Sequence, residues 1–418
     1  MRNKEYLRYG LASMIVVGGA MGAGLVACGD DDDGVVSGKD AGGTDTSQPD
    51  SSTTDSSTAD AADSAVKKAN AKLVVVNAAT DFGPSADFSP AKFQAIRVCF
   101  ALAATTADAL LANASPLPPQ PDSPQPAGRP VGIYIGTGGV FKSFGLNLEP
   151  LAVRPIIMNA KTLAEKGIIK PGPGKTGSTC DEILKAGATL DGSTFTENVD
   201  YWKLPPIEPG TFKTEKSFAL VLTGCTGDAV VAAPEQCGDG YTPTGTPGPG
   251  NLKARIYELS RPTTIPATEV AAQFAHVSAP AAYFLNGNGP GGAVIPVVPG
   301  FADDNAGTNF KPVPGKNDGG VVNYAELTDV KNVTGVNFAS HYFTANPQAP
   351  LGAPIPLISA VSFANSVPDG GEYRNGAAFT VFAVGDPLTP ADAGGNFNPR
   401  TFHYLAFPND PPVENYVP

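Results

Sequence analysis

Phe379-Thr380-Val381-Phe382-Ala383-Val384-Gly385 is an uncharged run of aromatic, β-branched and small residues closed by a glycine. Read as a strand, it puts Phe379, Val381 and Ala383 on one face and Thr380, Phe382 and Val384 on the other. Both faces suit burial, so the run reads as an inner strand of a sandwich. Similar runs, separated by Gly, Pro, Asn and Asp, recur at 73–76, 95–102, 131–135, 154–158 and 218–222. A second set follows at 254–258, 270–276, 293–298, 321–327 and 402–407. Short β-branched and aromatic runs between turn formers are the pattern of an all-β chain. One helix is well signalled: Ser178-Thr179-Cys180-Asp181-Glu182 offers a capping box before Ile183 and Leu184.

The opening run has a counterpart. Phe218-Ala219-Leu220-Val221-Leu222-Thr223-Gly224 resembles it at a separation of 161 residues. Val74-Val75-Val76-Asn77-Ala78-Ala79 resembles Gln273-Phe274-Ala275-His276-Val277-Ser278 at 199, and Gly139-Val140-Phe141 resembles Gly335-Val336-Asn337 at 196. Three landmarks in the same order read as an internal duplication, with an insertion in the first copy that carries the capped helix. A Pro/Gly-rich connector at 242–250 separates the copies. The expected organisation is therefore a first β-sandwich repeat at 67–241, a linker at 242–250 and a second repeat at 251–418.

Phe274 to Ser278 and Phe379 to Asp386 resemble the DUF 4397 family, a group of bacterial domains of unknown function. Its members often carry a Val-x-His-Ala-Ser-like turn after the first strand and a later strand of the form Tyr/Phe-Thr-Val-x-x-x-Gly. The first copy departs from this pattern, with Asn77 where His is usual. The resemblance implies an extracytoplasmic β-sandwich, common on lipoproteins and wall proteins, with no established activity. The expected fold class is all-β, with two tandem immunoglobulin-like β-sandwich repeats, the first bearing a helical insertion.

The chain has 418 residues, a net charge of −12 and only 16% charged residues. An acidic balance argues against nucleic acid, which needs clustered Lys and Arg. It argues equally against electrostatic attachment to anionic lipid. The charge is unevenly placed: residues 29–66 hold ten Asp and one Lys, while 67–418 carry a net −5. With almost no large apolar residue, 29–66 reads as a disordered, solvated tether. Its acidic run also resembles surface-export signals of some bacterial lipoproteins.

Arg2, Lys4 and Arg8 precede an apolar stretch that ends in Leu25-Val26-Ala27-Cys28. Five glycines between Gly10 and Gly24 weaken a membrane-spanning helix and favour a secretory signal at 1–27. The last four residues resemble the lipobox of bacterial lipoproteins. The resemblance implies a diacylglycerol on the Cys28 sulfur, cleavage after Ala27 and acylation of the new amino group. Two or more acyl chains anchor stably where one does not. The expected location is the bacterial outer membrane or cell surface, with the membrane as partner through this anchor.

With Cys28 lipidated, Cys99, Cys180, Cys225 and Cys237 remain, an even number suited to an oxidising compartment. Of three pairings, Cys225–Cys237 closes a short loop and Cys99–Cys180 pins the inserted helix. A zinc site is the competing reading, but no Cys-x-x-Cys spacing occurs and every His lies in the other copy.

Other chemistry is thin. Gly174-Lys175-Thr176 lacks the earlier glycine of a phosphate-binding loop, and no Gly-x-Ser-x-Gly elbow is present. Seven prolines from Pro116 to Pro130 read as a stiff surface excursion. The oxygen-rich run at 303–309 fails the calcium-loop pattern and reads as a hydrated turn. His276, His341 and His403 all fall in the second copy, and their convergence would make a metal site. The function expected is a non-enzymatic, lipid-anchored envelope module without cofactor that meets a protein or glycan partner. The alternative is a metal-assisted hydrolase using those three histidines.

Overall fold

The apolar runs become strands, and the longest of them are buried on both faces. The computed structural model describes residues 69–82, 94–103, 109–110, 115–118, 131–141, 146–166, 179–185, 194–231, 233–283, 285–286, 293–294, 297–302, 310–312, 323–333, 337–342, 349–350, 355–357, 359–360, 376–387 and 400–410. Contacts divide the chain into Met1–Ser64 and Ala65–Pro418, and every described residue belongs to the second unit. Cys28, the tether, the Gly174-Lys175-Thr176 stretch and the 303–309 run lie outside the described residues.

The first half runs β1 (Lys72–Asn77), β2 (Ala95–Leu102), β3 (Ala109–Leu110), β4 (Ile133–Tyr134), β5 (Thr137–Phe141), β6 (Val153–Asn159), α1 (Ala160–Glu165), α2 (Cys180–Lys185), β7 (Tyr201–Lys203), β8 (Ser217–Thr223) and β9 (Lys253–Glu258). The second runs β10 (Val270–His276), α3 (Ala279–Ala282), β11 (Leu285–Asn286), β12 (Ala293–Val294), β13 (Val297–Ala302), β14 (Phe310–Pro312), β15 (Lys331–Val333), β16 (Asn337–Tyr342), β17 (Ala349–Pro350), β18 (Ile355–Pro356), β19 (Ala378–Val384) and β20 (His403–Pro408). The fold is all-β, with three short helices among the described residues. The described part of the 321–327 run, 323–327, forms no strand; Tyr324 and Leu327 make only single bridges to β10.

Two four-stranded sheets form the centre, ordered β5-β1-β8-β9 and β15-β10-β19-β20. In each, the middle pair is parallel and the flanking pairs antiparallel. Leu73 lies opposite Phe218 in one, and Ala272 lies opposite Phe379 in the other. Leu73 and Ala272 are 199 residues apart and Phe218 and Phe379 are 161 apart, the separations read from sequence. The third landmark does not hold. Phe141 faces Leu73 and Lys331 faces Ala272, a separation of 190 rather than 196. A glycine followed by one small valine carries too little side chain to specify a register.

Each central sheet uses both faces. Leu73, Val75, Phe218, Leu220 and Leu222 pack against Ile96, Val98, Phe100, Val153, Ile157 and Trp202 of the β3-β2-β6-β7 sheet. The opposite face, Val74, Val76, Ala219, Val221 and Tyr257, meets Ala275, Phe382, Val384, Leu405 and Phe407 of the second central sheet. That sheet's far face buries Phe274, Phe379, Val381, Ala383 and Tyr404 with Leu357 and Ala360. Double-sided burial is why β1, β8, β10 and β19 read as near-continuous apolar runs.

The inserted helices cover the outer face of the β2–β6 pair, where Cys99, Ile156, Met158, Leu163 and Ile183 form a smaller core. The capping box appears as expected: Thr179 N–H donates to Glu182 Oε2 at 2.9 Å, and Glu182 N–H to Thr179 Oγ1 at 3.2 Å. Helix α1 has no such signal in the sequence; Asn159 Oδ1 caps it by accepting from the Lys161 and Thr162 amides.

β9 lies beyond the 242–250 connector yet pairs with β8, so the first central sheet extends to Glu258. The connector folds back on the loop after β8: Gly227 N–H donates to Gly248 O, and Thr244 Oγ1 to Gly227 O, both at 3.0 Å. Proline and glycine here make an exposed but hydrogen-bonded turn rather than an open spacer.

Candidate functional site

The four described cysteines form the two expected pairs. Cys99 of β2 bonds to Cys180 at the start of α2, and Cys225 bonds to Cys237, with Cα–Cα distances of 5.9 and 5.3 Å. Stable disulfides are the chemistry of an oxidising, extracytoplasmic compartment. No helix among the described residues is long and apolar enough to cross a membrane.

His276 and His403 do not converge as the hydrolase alternative requires. His276 pairs with Ala383, and Ala383 with Tyr404, so His276 shares their face of the sheet. Its ring packs edge-on toward Phe402, 6.5 Å away. His403 lies on the opposite face with Leu405 and Phe407. Strand parity therefore separates the two imidazoles by the thickness of the sheet. The backbone of His341 lies in β16, and its side chain is outside the described residues.

His403 is used structurally. Its Nδ1 lies 2.5 Å from Thr401 O and its Nε2 2.7 Å from Gly136 O. Only an imidazolium could donate to both carbonyls, but burial outweighs them and pushes the pKa below the ordinary imidazole value. The neutral ring thus has one proton to share between two acceptors.

A polar cluster on the described surface lies where the Cys225–Cys237 loop, β9 and α3 meet. Tyr283 donates its hydroxyl to Asp239 Oδ1. Its ring packs edge-on to Tyr324 at 5.8 Å, and the Arg255 guanidinium lies 5.3 Å from the Tyr324 centroid. Arg255 Nε also donates to Thr223 Oγ1 at 3.3 Å. Burial raises the Tyr283 and Tyr324 pKa values, and for Tyr283 the Asp239 carboxylate adds to the rise. Burial, then repulsion from Arg255, lowers that of Lys253. Two half-buried tyrosines beside a cation and a carboxylate can stack on and hydrogen-bond a polar partner. No linear spacing announces it, since its members come from four segments.

Asp81 is a second feature that no sequence motif marks. It is 3% exposed, accepting from Gln94 Nε2 at 2.9 Å and from the Val230 amide at 3.1 Å. Burial raises its pKa, against the opposing pull of the Gln94 hydrogen bond, the Arg400 charge and the Phe82 and Val230 amides. The folded state therefore binds this proton more tightly than the unfolded state. That contribution is full below the usual carboxylate value and declines as pH rises through the raised one. In urea unfolding between pH 3 and pH 6, Asp81→Asn should lose this component of the slope, whatever its constant cost. Parallel pH profiles for the variant and the parent would refute it.

No family model and no curated protein matches the chain. Among solved structures, a Bacteroides eggerthii protein provisionally described as a cell adhesion protein aligns over 82% of this chain and 97% of its own. Identity is 9% and the TM-score 0.17, too low to inform fold or function.

Proposed function

We propose that this chain is a non-enzymatic envelope module, held at a bacterial outer membrane by lipid on Cys28 and displayed beyond the acidic tether at 29–66. Its two β-sandwich repeats, akin to DUF 4397 domains, serve as a rigid platform for a protein or glycan partner. The observation that carries this reading is how the buried polar side chains are employed. Asn77 Nδ2 holds Ile133 O, Gln94 holds Asp81, Arg97 donates twice to Pro118 O, and Gln273 Nε2 holds Glu258 O. These groups brace the scaffold and leave the loop ends to meet a partner. The Tyr283–Tyr324–Arg255 cluster is the described surface best suited to that contact.

Cys28→Ser should move the protein from the membrane fraction to the soluble fraction while leaving both disulfides intact. Unchanged fractionation would remove the anchor from this reading. Capture on immobilised glycans or envelope proteins, lost on Tyr283→Ala, tests the platform; retention by the variant would place the contact elsewhere.

A further inference from the structure

The two central sheets repeat each other in detail that sheet order alone does not require. Lys72 N–H donates to Lys216 O in one, and Ala271 N–H to Ala377 O in the other. Ala78 N–H reaches Leu222 O, and Val277 N–H reaches Ala383 O. Leu259 N–H reaches Ser217 O, and Asn409 N–H reaches Ala378 O. Gly224 and Gly385 leave the equivalent strands with φ of +98° and +83°. A Cβ on either would meet a backbone oxygen, Asn251 O at 2.5 Å or Thr401 O at 2.3 Å. Only glycine suits such a turn.

The contacts between the sheets are reciprocal as well. Val76, Val221 and Tyr257 correspond by register to Ala275, Phe382 and Phe407, and all six share one core. At one end, side chains of the first sheet hold the exit of the second: Lys72 Nζ donates to Pro408 O at 3.0 Å and to Asp410 O at 3.2 Å. Ser217 Oγ also donates to Asp410 O at 2.7 Å. In return, side chains of the second hold the exit of the first. Gln273 Nε2 donates to Glu258 O at 2.8 Å and Asn409 Nδ2 to Ser260 O at 2.6 Å.

At the other end, Gly136 and Ala325 occupy equivalent turns. Their amides donate to Asn77 O and His276 O, and both have positive φ, +77° and +62°. Each carbonyl faces a side chain from the opposite half, His403 Nε2 for Gly136 and the Tyr257 hydroxyl for Ala325.

A patch that meets its own equivalent, with contacts exchanged in both directions, is the signature of a twofold interface. We infer that the chain is a fused pseudo-dimer. The face built from Val76, Val221 and Tyr257, with its equivalents in the other half, is a self-association surface whose partner is the second copy of the same module. Both disulfides lie within the first half, so no disulfide among the described residues joins the halves; this face, the 259–269 connector and polar contacts such as Tyr283–Asp239 and Arg400–Thr80 do.

The test uses the whole chain with a specific protease site inserted between Thr263 and Thr264, both exposed. After folding and cleavage, the fragments should co-elute at the mass of the uncut chain and separate only in denaturant. Two native peaks would overturn the inference. A circular permutant starting at Thr264, with Asp410 joined to Lys72 by a linker as long as 259–269, should unfold in one transition close to the parent's. The twofold makes the two connections equivalent, so a permutant without a cooperative transition would also overturn it.

Discussion

Phe382→Ala should cost about 3–5 kcal/mol, the usual range for truncating a fully buried aromatic. Phe382 has no exposed surface, and its ring lies 6.0 Å from both Tyr257 and Phe407. The cavity would open in the core shared by the two central sheets, where neither sheet can close on it without leaving the other. Domains commonly have only about 5–15 kcal/mol in total, so this is a large share. The reporter is convenient: the chain's single tryptophan, Trp202, lies in the first half's own core. Its fluorescence transition in urea should shift with Phe382→Ala, although the substitution is in the other half. A Trp202 transition that stays in place would mean the halves unfold independently and the shared core couples nothing.

Removing the Cys99–Cys180 bond should be comparably severe. It closes a separation of 81 residues, and restriction of the unfolded chain over that length is worth about 4–5 kcal/mol. The Cys225–Cys237 bond closes only 12, worth about 3 kcal/mol on the same scale. Cys99→Ala/Cys180→Ala should therefore lower stability more than Cys225→Ala/Cys237→Ala, measured by denaturant unfolding of both variants. It should also free α2 from the β2–β6 face, seen as faster amide exchange at Ile183. An equal or reversed order of costs would contradict the chain-restriction account.

Much of this scaffold is readable locally. β2 and β10 fall at the residues the apolar runs predict, because strands buried on both faces keep apolar side chains at nearly every position. The capping box at Thr179 is readable because all its partners lie within four residues. The 199 and 161 separations carry the true register because Val74–Val76 and Phe218–Leu222 present specific side chains to two neighbours. The Gly139 motif misleads for the opposite reason. Sequence alone puts β9 on the wrong side of its connector, since the strand's own residues do not say which strand receives their hydrogen bonds.

The site is less legible. Three histidines in one half suggest convergence, yet a one-residue difference in parity sends His276 and His403 to opposite faces. Asp81, Arg255, Asp239, Tyr283 and Tyr324 are unremarkable in sequence, and only the packing of distant segments gives them neighbours.

By itself the sequence determines what is encoded within a few residues of each position. That includes the alternation that makes strands, the turns that end them and the cap of α2. Tertiary structure alone decides which apolar faces meet. Alternation reveals that the face of Phe382 must be covered, but a nondirectional hydrophobic force does not name the cover. The equivalent face of the other half supplies it, because the two modules carry matching patches and reciprocal hydrogen-bond partners at both ends.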